Sequence, residues 1–262
     1  MDELLAPGEG AAVEVRETRG PFVVVCEHAS HRIPESLGTL GLAPADLERH
    51  IAWDPGAIEL SAGLAARLPG ALVTQRFSRL VIDCNRDPAD ADAIVTFSED
   101  TQVPGNLRLS PEARERRVAG VWAPFHAALE HLLDRRRAAR LPTALVTVHS
   151  FTPVYRGVSR PWHVGIISTA ERSLAEGVLA ALRRDKALIF GDNQPYSSKD
   201  RVDYTIRRHG RDRGLPHVMI EVRNDLLRAA KDITAWAERL TEALLVGAGA
   251  VGIGPVGARV GT

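Results

Sequence analysis

The chain has 262 residues, 45% of them hydrophobic, with 33 basic and 33 acidic side chains and a formal net charge of zero. That content supports a sizeable core in one α/β domain, expected over residues 1–246, and the balanced charge argues against nucleic acid or an anionic membrane as a partner. Two cysteines outside any C-x-x-C pair, and an acidic Met1-Asp2-Glu3 start without a basic, apolar leader, point to a reduced cytoplasmic protein.

Residues 1–20 read as a polar leader with a short edge strand at Ala12–Val15. Phe22-Val23-Val24-Val25-Cys26 is a β-branched apolar run, the composition of a strand buried on both faces. Asp54-Pro55 reads as a helix start, an N-cap acid followed by proline, with the helix continuing to Pro69-Gly70. Leu72–Gln75 and Leu80–Cys84 read as strands, and the unpatterned stretch from Pro88 to Leu109 as a long loop over a site.

Ser110-Pro111-Glu112 opens a long helix reaching about Arg140, which Pro124 should kink or split. Strands are expected at Thr143–His149, His163–Ser168, Ala187–Phe190 and Pro216–Val222. Helices are expected at Ala170–Arg183, Val202–His209 and Asn224–Val246. Ala243 to Ala258 is uncharged, but its sixteen residues include five glycines and a proline, short of the ~20 apolar residues of a membrane span. It reads as a helix end and a flexible Gly-rich tail over 247–262.

Four apolar runs end in polar residues: Glu27 with His28; Asp83, Asn85 and Arg86; His149 with Ser150; and Glu221, Arg223 and Asn224. Ligands of open α/β sheets bind outside the carboxyl ends of parallel strands, so these tips should converge on one site. His28 and His149 suit zinc, which takes imidazole and carboxylate ligands; a third ligand is open among Glu27, Asp54 and Asp83. Glu221, on an otherwise apolar strand, suits a general base whose proton affinity both burial and a nearby metal would shift. Arg86 offers a fork for a carboxylate with Asn85 beside it, and Arg76, Arg79, Arg156, Arg160 and Arg223 add a basic rim for an anionic substrate.

In order and spacing, Cys26–Pro34, Asp54-Pro55-Gly56-Ala57, Ser78–Arg86, His149–Pro153, Asp192–Tyr196 and Glu221–Asp225 resemble the N-formylglutamate amidohydrolase family over roughly residues 20 to 240. The resemblance implies a zinc-exopeptidase-like (phosphorylase/hydrolase-like) α/β fold, with a mixed, mostly parallel central sheet flanked by helices. It implies a Zn2+ cofactor and hydrolysis of the N-formyl or N-acyl amide of a small acidic amino acid such as N-formylglutamate. In related carboxypeptidases and aspartoacylases the corresponding positions are the metal ligands His28 and His149, the carboxylate-binding pair Asn85 and Arg86, and the catalytic Glu221. The carboxypeptidase motif His-x-x-Glu is absent, since the chain reads His28-Ala29-Ser30-His31, so Asp54 becomes the expected third ligand. One of Arg79, Arg156 or Arg223 is then expected on the side-chain carboxylate or the oxyanion. Rival readings are a peptidoglycan-type zinc amidase and a non-catalytic metabolite- or metal-binding protein of the same fold.

Overall fold

The computed structural model describes residues 3–197 and 201–254. In chain order the strands are β1 (Val13–Glu17), β2 (Phe22–Cys26), β3 (Gly70–Gln75), β4 (Phe97–Ser98), β5 (Thr101–Gln102), β6 (Ala144–Phe151), β7 (Val154–Tyr155), β8 (Val158–Ser159), β9 (Val164–Ile167), β10 (Phe190–Asp192) and β11 (His217–Arg223). The α-helices are α1 (Pro44–Leu47), α2 (Ala57–Arg67), α3 (Pro111–Arg117), α4 (Ala123–Ala138), α5 (Ser173–Leu182) and α6 (Ala230–Ala250).

Seven strands form one sheet in the order β1-β3-β2-β6-β11-β9-β10. The central run β3-β2-β6-β11 is parallel, β1 adds to it antiparallel at one edge, and β9 pairs antiparallel with β11. This is the mixed, mostly parallel α/β sheet that the family resemblance implies. The apolar runs are continuous because both faces are covered. Val24, Val146, Val148, Val218 and Ile220 turn to a core that contains Leu60, Leu179 and Leu240 of α2, α5 and α6. Their neighbours Val23, Val25, Val73 and Leu145 turn to the other face, against Phe125, Leu129 and Leu132 of α4. Each fully buried aliphatic side chain stabilises the fold by about 1.5–3 kcal/mol, so these two layers fix the strand register firmly.

Several expectations need correction. Leu80–Cys84 is not a strand but a buried irregular segment. Side chains satisfy two of its carbonyls in place of a ladder: Asn106 Nδ2 donates to Leu80 O (2.9 Å) and Arg117 Nη1 to Val81 O (3.0 Å). Apolar composition reported its burial correctly and its hydrogen bonding wrongly. The helix after Asp54-Pro55 begins only at Ala57, with Gly56 left-handed (φ 81°) at its cap. Asp54 therefore makes no side-chain cap. The expected tail also starts too early, because α6 runs on through Gly247 and Gly249 to Ala250; residues 255–262 lie outside the described residues.

Pro124 acts as anticipated. The long helix divides into α3 and α4, joined by a π-helical turn over Val118–Trp122 that ends just before Pro124, whose ring cannot donate to the preceding turn. The 201–210 region is also short and π-helical, over Ile206–Gly210, rather than a regular helix.

Candidate active site at the carboxyl edge of the sheet

Parallel pairing places Glu221 of β11 directly beside His149 of β6, and so their side chains share one face at the strand ends. His28 follows β2, the other neighbour of β6. Asp54 comes from the turn before α2, pinned by Asp54 N–H donating to His28 O (3.0 Å) and by Ser150 Oγ donating to Pro55 O (2.8 Å).

Three acceptor atoms converge there. His28 Nδ1 and His149 Nδ1 lie 3.1 Å apart, and Asp54 Oδ2 is 3.2 Å from the first and 2.9 Å from the second. All three residues are buried, and among the described residues this is the one grouping of such side chains fit to hold a metal ion. The far nitrogen of each imidazole faces a carboxylate: His28 Nε2 is 2.7 Å from Asp83 Oδ1, and His149 Nε2 is 3.2 Å from Glu27 Oε2. The Asp83 carboxylate at hydrogen-bond distance holds the proton on His28 Nε2 and turns the Nδ1 lone pair inward, the usual support of a metal-binding histidine. Glu27, by contrast, faces His149 Nε2 as an ion-pair contact without a hydrogen bond. Glu27 and Asp83 are thus placed behind the imidazoles, and Asp54 is the carboxylate that completes the set.

Charge fits a cation equally well. Glu27, Asp54 and Asp83 are buried carboxylates; the Arg79 guanidinium reaches Asp54 Oδ1 (3.3 Å) and Asp83 Oδ2 (2.6 Å), and Arg86 Nε lies 3.8 Å from Asp83 Oδ2. Buried carboxylates therefore crowd the two imidazoles, a setting that favours a cation between them. Burial opposes ionisation of Asp54, yet His28 and His149 hold its carboxyl far below the usual range; Arg79 and His28 do the same for Asp83. Glu221 behaves oppositely. Burial, together with the charge of Asp54, pushes its pKa up to about 7 against His149, His28 and Arg79. Its Oε2 is buried without a hydrogen-bond partner among the described residues.

These groups open into a cleft of about 330 Å³, also lined by Arg86, Arg156, Arg160, Tyr196 and the Val95–Ser98 part of the long loop. The expected substrate-binding residues divide. Arg86 lines the cleft but pairs with Asp92 (2.6 Å), and Arg156 is exposed at the turn of the β7–β8 hairpin. Asn85 does not present a free amide: Nδ2 donates to Val202 O (2.6 Å) and Oδ1 accepts from Thr205 N–H (3.0 Å), so it ties down the 202–205 segment. Arg223 stands outside the cleft lining, bonded to Asp225 (2.8 Å) and to the carbonyls of Arg160 and Pro161. His31 packs edge-on against Trp53, away from His28's partners.

Sequence reasoning left Tyr196 and the distal roles of Glu27 and Asp83 unassigned. The adjacency of Glu27 to His28 in the chain hides that Glu27 serves His149, a partnership set by strand order alone.

Comparison with known proteins agrees with this geometry. No curated protein sequence matches the chain. Among solved structures, a gene product of Agrobacterium tumefaciens is 39% identical with a TM-score of 0.91, covering 95% of this chain and 98% of that one. An N-formylglutamate amidohydrolase from Ralstonia eutropha is 18% identical with a TM-score of 0.71, covering 93% and 98%, a likeness of fold. The model of the family described as N-formylglutamate amidohydrolase matches residues 20–228, which include all the converging side chains above. The chain belongs to the N-formylglutamate amidohydrolase family and is a hydrolase of amide bonds.

Proposed function

We propose that this protein is a zinc-dependent amidohydrolase that cleaves the N-formyl (or N-acyl) amide of a small acidic amino acid, with N-formylglutamate as the substrate to test first. The observation that carries the reading is the convergence of His28 Nδ1, Asp54 Oδ2 and His149 Nδ1 in the cleft that also holds the unpartnered carboxyl oxygen of Glu221. Two imidazoles and one carboxylate are the donor set of a hydrolytic zinc site, and zinc supplies polarisation of the amide carbonyl and acidification of water.

The protein's own groups do the rest. Glu221, with its proton affinity raised to the neutral range, takes a proton from the attacking water and passes it to the leaving nitrogen. Asp83 and Glu27 keep the two imidazoles turned toward the cation, and Arg79 holds Asp54 and Asp83 at a fixed spacing. Arg156 brings positive charge to the wall of the cleft beside the Arg86–Asp92 pair, which favours an anionic acyl-amino acid over a neutral one. The two free cysteines, Cys26 and Cys84, are buried and packed as apolar groups, in keeping with work in the cytoplasm. Among the described residues no helix is long and apolar enough to cross a membrane.

Elemental analysis of the purified protein, followed by a formate-release assay on N-formylglutamate, tests the proposal. About one zinc per chain is expected. Turnover should be lost on chelation and restored by zinc. Full activity in metal-stripped protein, or zinc binding with no turnover of any N-acyl amino acid, overturns it.

A further inference from the structure

Among the described residues three arginines are almost fully buried, and the guanidinium groups of two of them each make three hydrogen bonds. Arg117 donates to Val81 O, Asn106 Oδ1 and Gly105 O. Arg136 donates to Thr143 Oγ1, Gly20 O and Pro142 O. Arg160 is different. It is 9% exposed, and among the described residues its guanidinium makes one hydrogen bond, Nη1 to the hydroxyl of Tyr196 (3.2 Å), and no ion pair.

What surrounds it instead is aromatic. The guanidinium carbon lies 4.6 Å from the centroid of the Tyr155 ring, 5.0 Å from that of Tyr196 and 5.9 Å from that of Phe151. Ring faces attract a cation, but they accept no N–H with the strength of an oxygen anion, so most of the fork is left without an acceptor. The side chain borders the same cleft as the His28–Asp54–His149 group. Its backbone is fixed on both sides, with Arg160 N–H donating to Pro153 O (2.8 Å) and Arg160 O accepting from the Arg223 side chain. A buried cation held rigidly, short of acceptors and facing a cavity is a receptor for an anion.

We propose that Arg160, with the Tyr196 hydroxyl beside it, binds a carboxylate of the substrate, and that the rings of Phe151, Tyr155 and Tyr196 select a flat, bidentate anion by leaving only the edge of the fork open. This rests on the amidohydrolase reading above. Phe151 follows His149 by two residues on β6, so it points to the same face about 7 Å further along the strand. The carboxylate receptor and the metal ligands are thereby offset by the length of a small amino acid, and Arg223 serves the receptor from behind as a positioning residue.

The test uses zinc-loaded protein, wild type and the Arg160→Met and Arg160→Lys variants. The substrates are N-formylglutamate, N-formylglutamine and the α-amide of N-formylglutamate; calorimetry of glutarate binding runs in parallel. Loss of a charge-assisted bidentate contact should raise KM for N-formylglutamate by roughly 10–100-fold in Arg160→Met, with kcat little changed. The penalty should vanish on one of the two amides, which identifies the carboxylate that Arg160 holds. Arg160→Lys keeps the buried charge without the fork, so it guards against misfolding and should show the same amide dependence at a smaller size. Equal losses on all three substrates, or none on N-formylglutamate, overturn the proposal. If wild type turns over none of the three, the amidohydrolase reading fails and the glutarate arm decides: weakened binding in Arg160→Met upholds the receptor, whereas no binding to wild type, or unchanged binding in the variant, overturns it.

Discussion

His28 and His149 meet at 3.1 Å through their Nδ1 atoms, and His126 and His209 stack at 11° with Nδ1 and Nε2 at 2.8 Å. All four rings are buried. In the first pair burial works against the imidazolium, but Asp83 and Asp54 beside His28, and Glu27 and Asp54 beside His149, raise both proton affinities. In the second pair no carboxylate among the described residues is in contact, and His126 Nε2 meets the carbonyl of Cys84. Burial takes His126 down to about 4 and, with its neighbour's charge, His209 down to about 2. Two pairs of one residue type thus have opposite electrostatics, and the carboxylates around them make the difference.

The largest effect should come from removing a ring of the first pair. His28→Ala or His149→Ala should abolish activity and bring zinc content well below one per chain. Near-normal zinc in both variants would remove these residues from the ligand set. His126→Gln, by contrast, should leave zinc content unchanged.

Glu221→Gln separates chemistry from binding. The amide keeps the shape but takes no proton, so zinc should stay while turnover falls by about 10²–10⁴-fold. Zinc loss in this variant would make Glu221 a ligand, and near-normal turnover would move the base elsewhere.

Neutralising the carboxylates behind the first pair tests the contrast itself. Asp83→Asn and Glu27→Gln should each weaken zinc affinity by about 10–100-fold in a chelator competition without abolishing the site. Unchanged affinity would mean that the imidazoles need no outer support.

The smallest effect concerns the second pair and acid. Both rings have folded pKa values below the ordinary 6.5, so below that pH the unfolded chain takes up protons that the folded chain refuses. The stability this pair supports is complete above about pH 6.5 and is lost as pH falls toward 4. Each ring contributes a slope of at most about 1.4 kcal/mol per pH unit. Denaturant melts of wild type and His126→Gln between those limits should diverge by about that slope, with wild type the more acid-sensitive. Parallel pH profiles would show that the second pair is not kept neutral.

How much of this was legible in the sequence depended on whether a side chain's role is set along the chain or across it. β2, β6 and β11 each announce themselves as an apolar run, and the polar residues at their ends do gather at one edge. Asp54 was the expected third ligand from the family resemblance, against a competing local explanation, helix capping, which the left-handed Gly56 cancels by starting the helix later. Glu27 and Asp83 could be named as candidates but not assigned, because Glu27 meets His149 through the adjacency of β2 and β6 and Asp83 meets His28 from an irregular segment outside the sheet. Asn85 and Arg223 have the right chemistry for a substrate carboxylate, yet backbone partners claim both. Arg160 looked like one basic residue among several; only its lack of acceptors sets it apart, and that is a property of its surroundings.

The irregular 80–84 segment makes the floor of the cleft dependent on its roof. Leu80 and Val81 give their carbonyls to Asn106 and Arg117, and Asp83 N–H donates to Ala93 O (2.7 Å) of the covering loop. Arg117 lies 36 positions from Val81 and is pushed down to about 10 by burial alone. Exchanging it for lysine would keep the charge but give up the fork that spans Val81 O, Asn106 Oδ1 and Gly105 O. Amide exchange would then quicken along 80–84 and carry Asp83 with it, so that a lesion in a helix remote from the chemistry is felt as a looser grip on His28 Nε2.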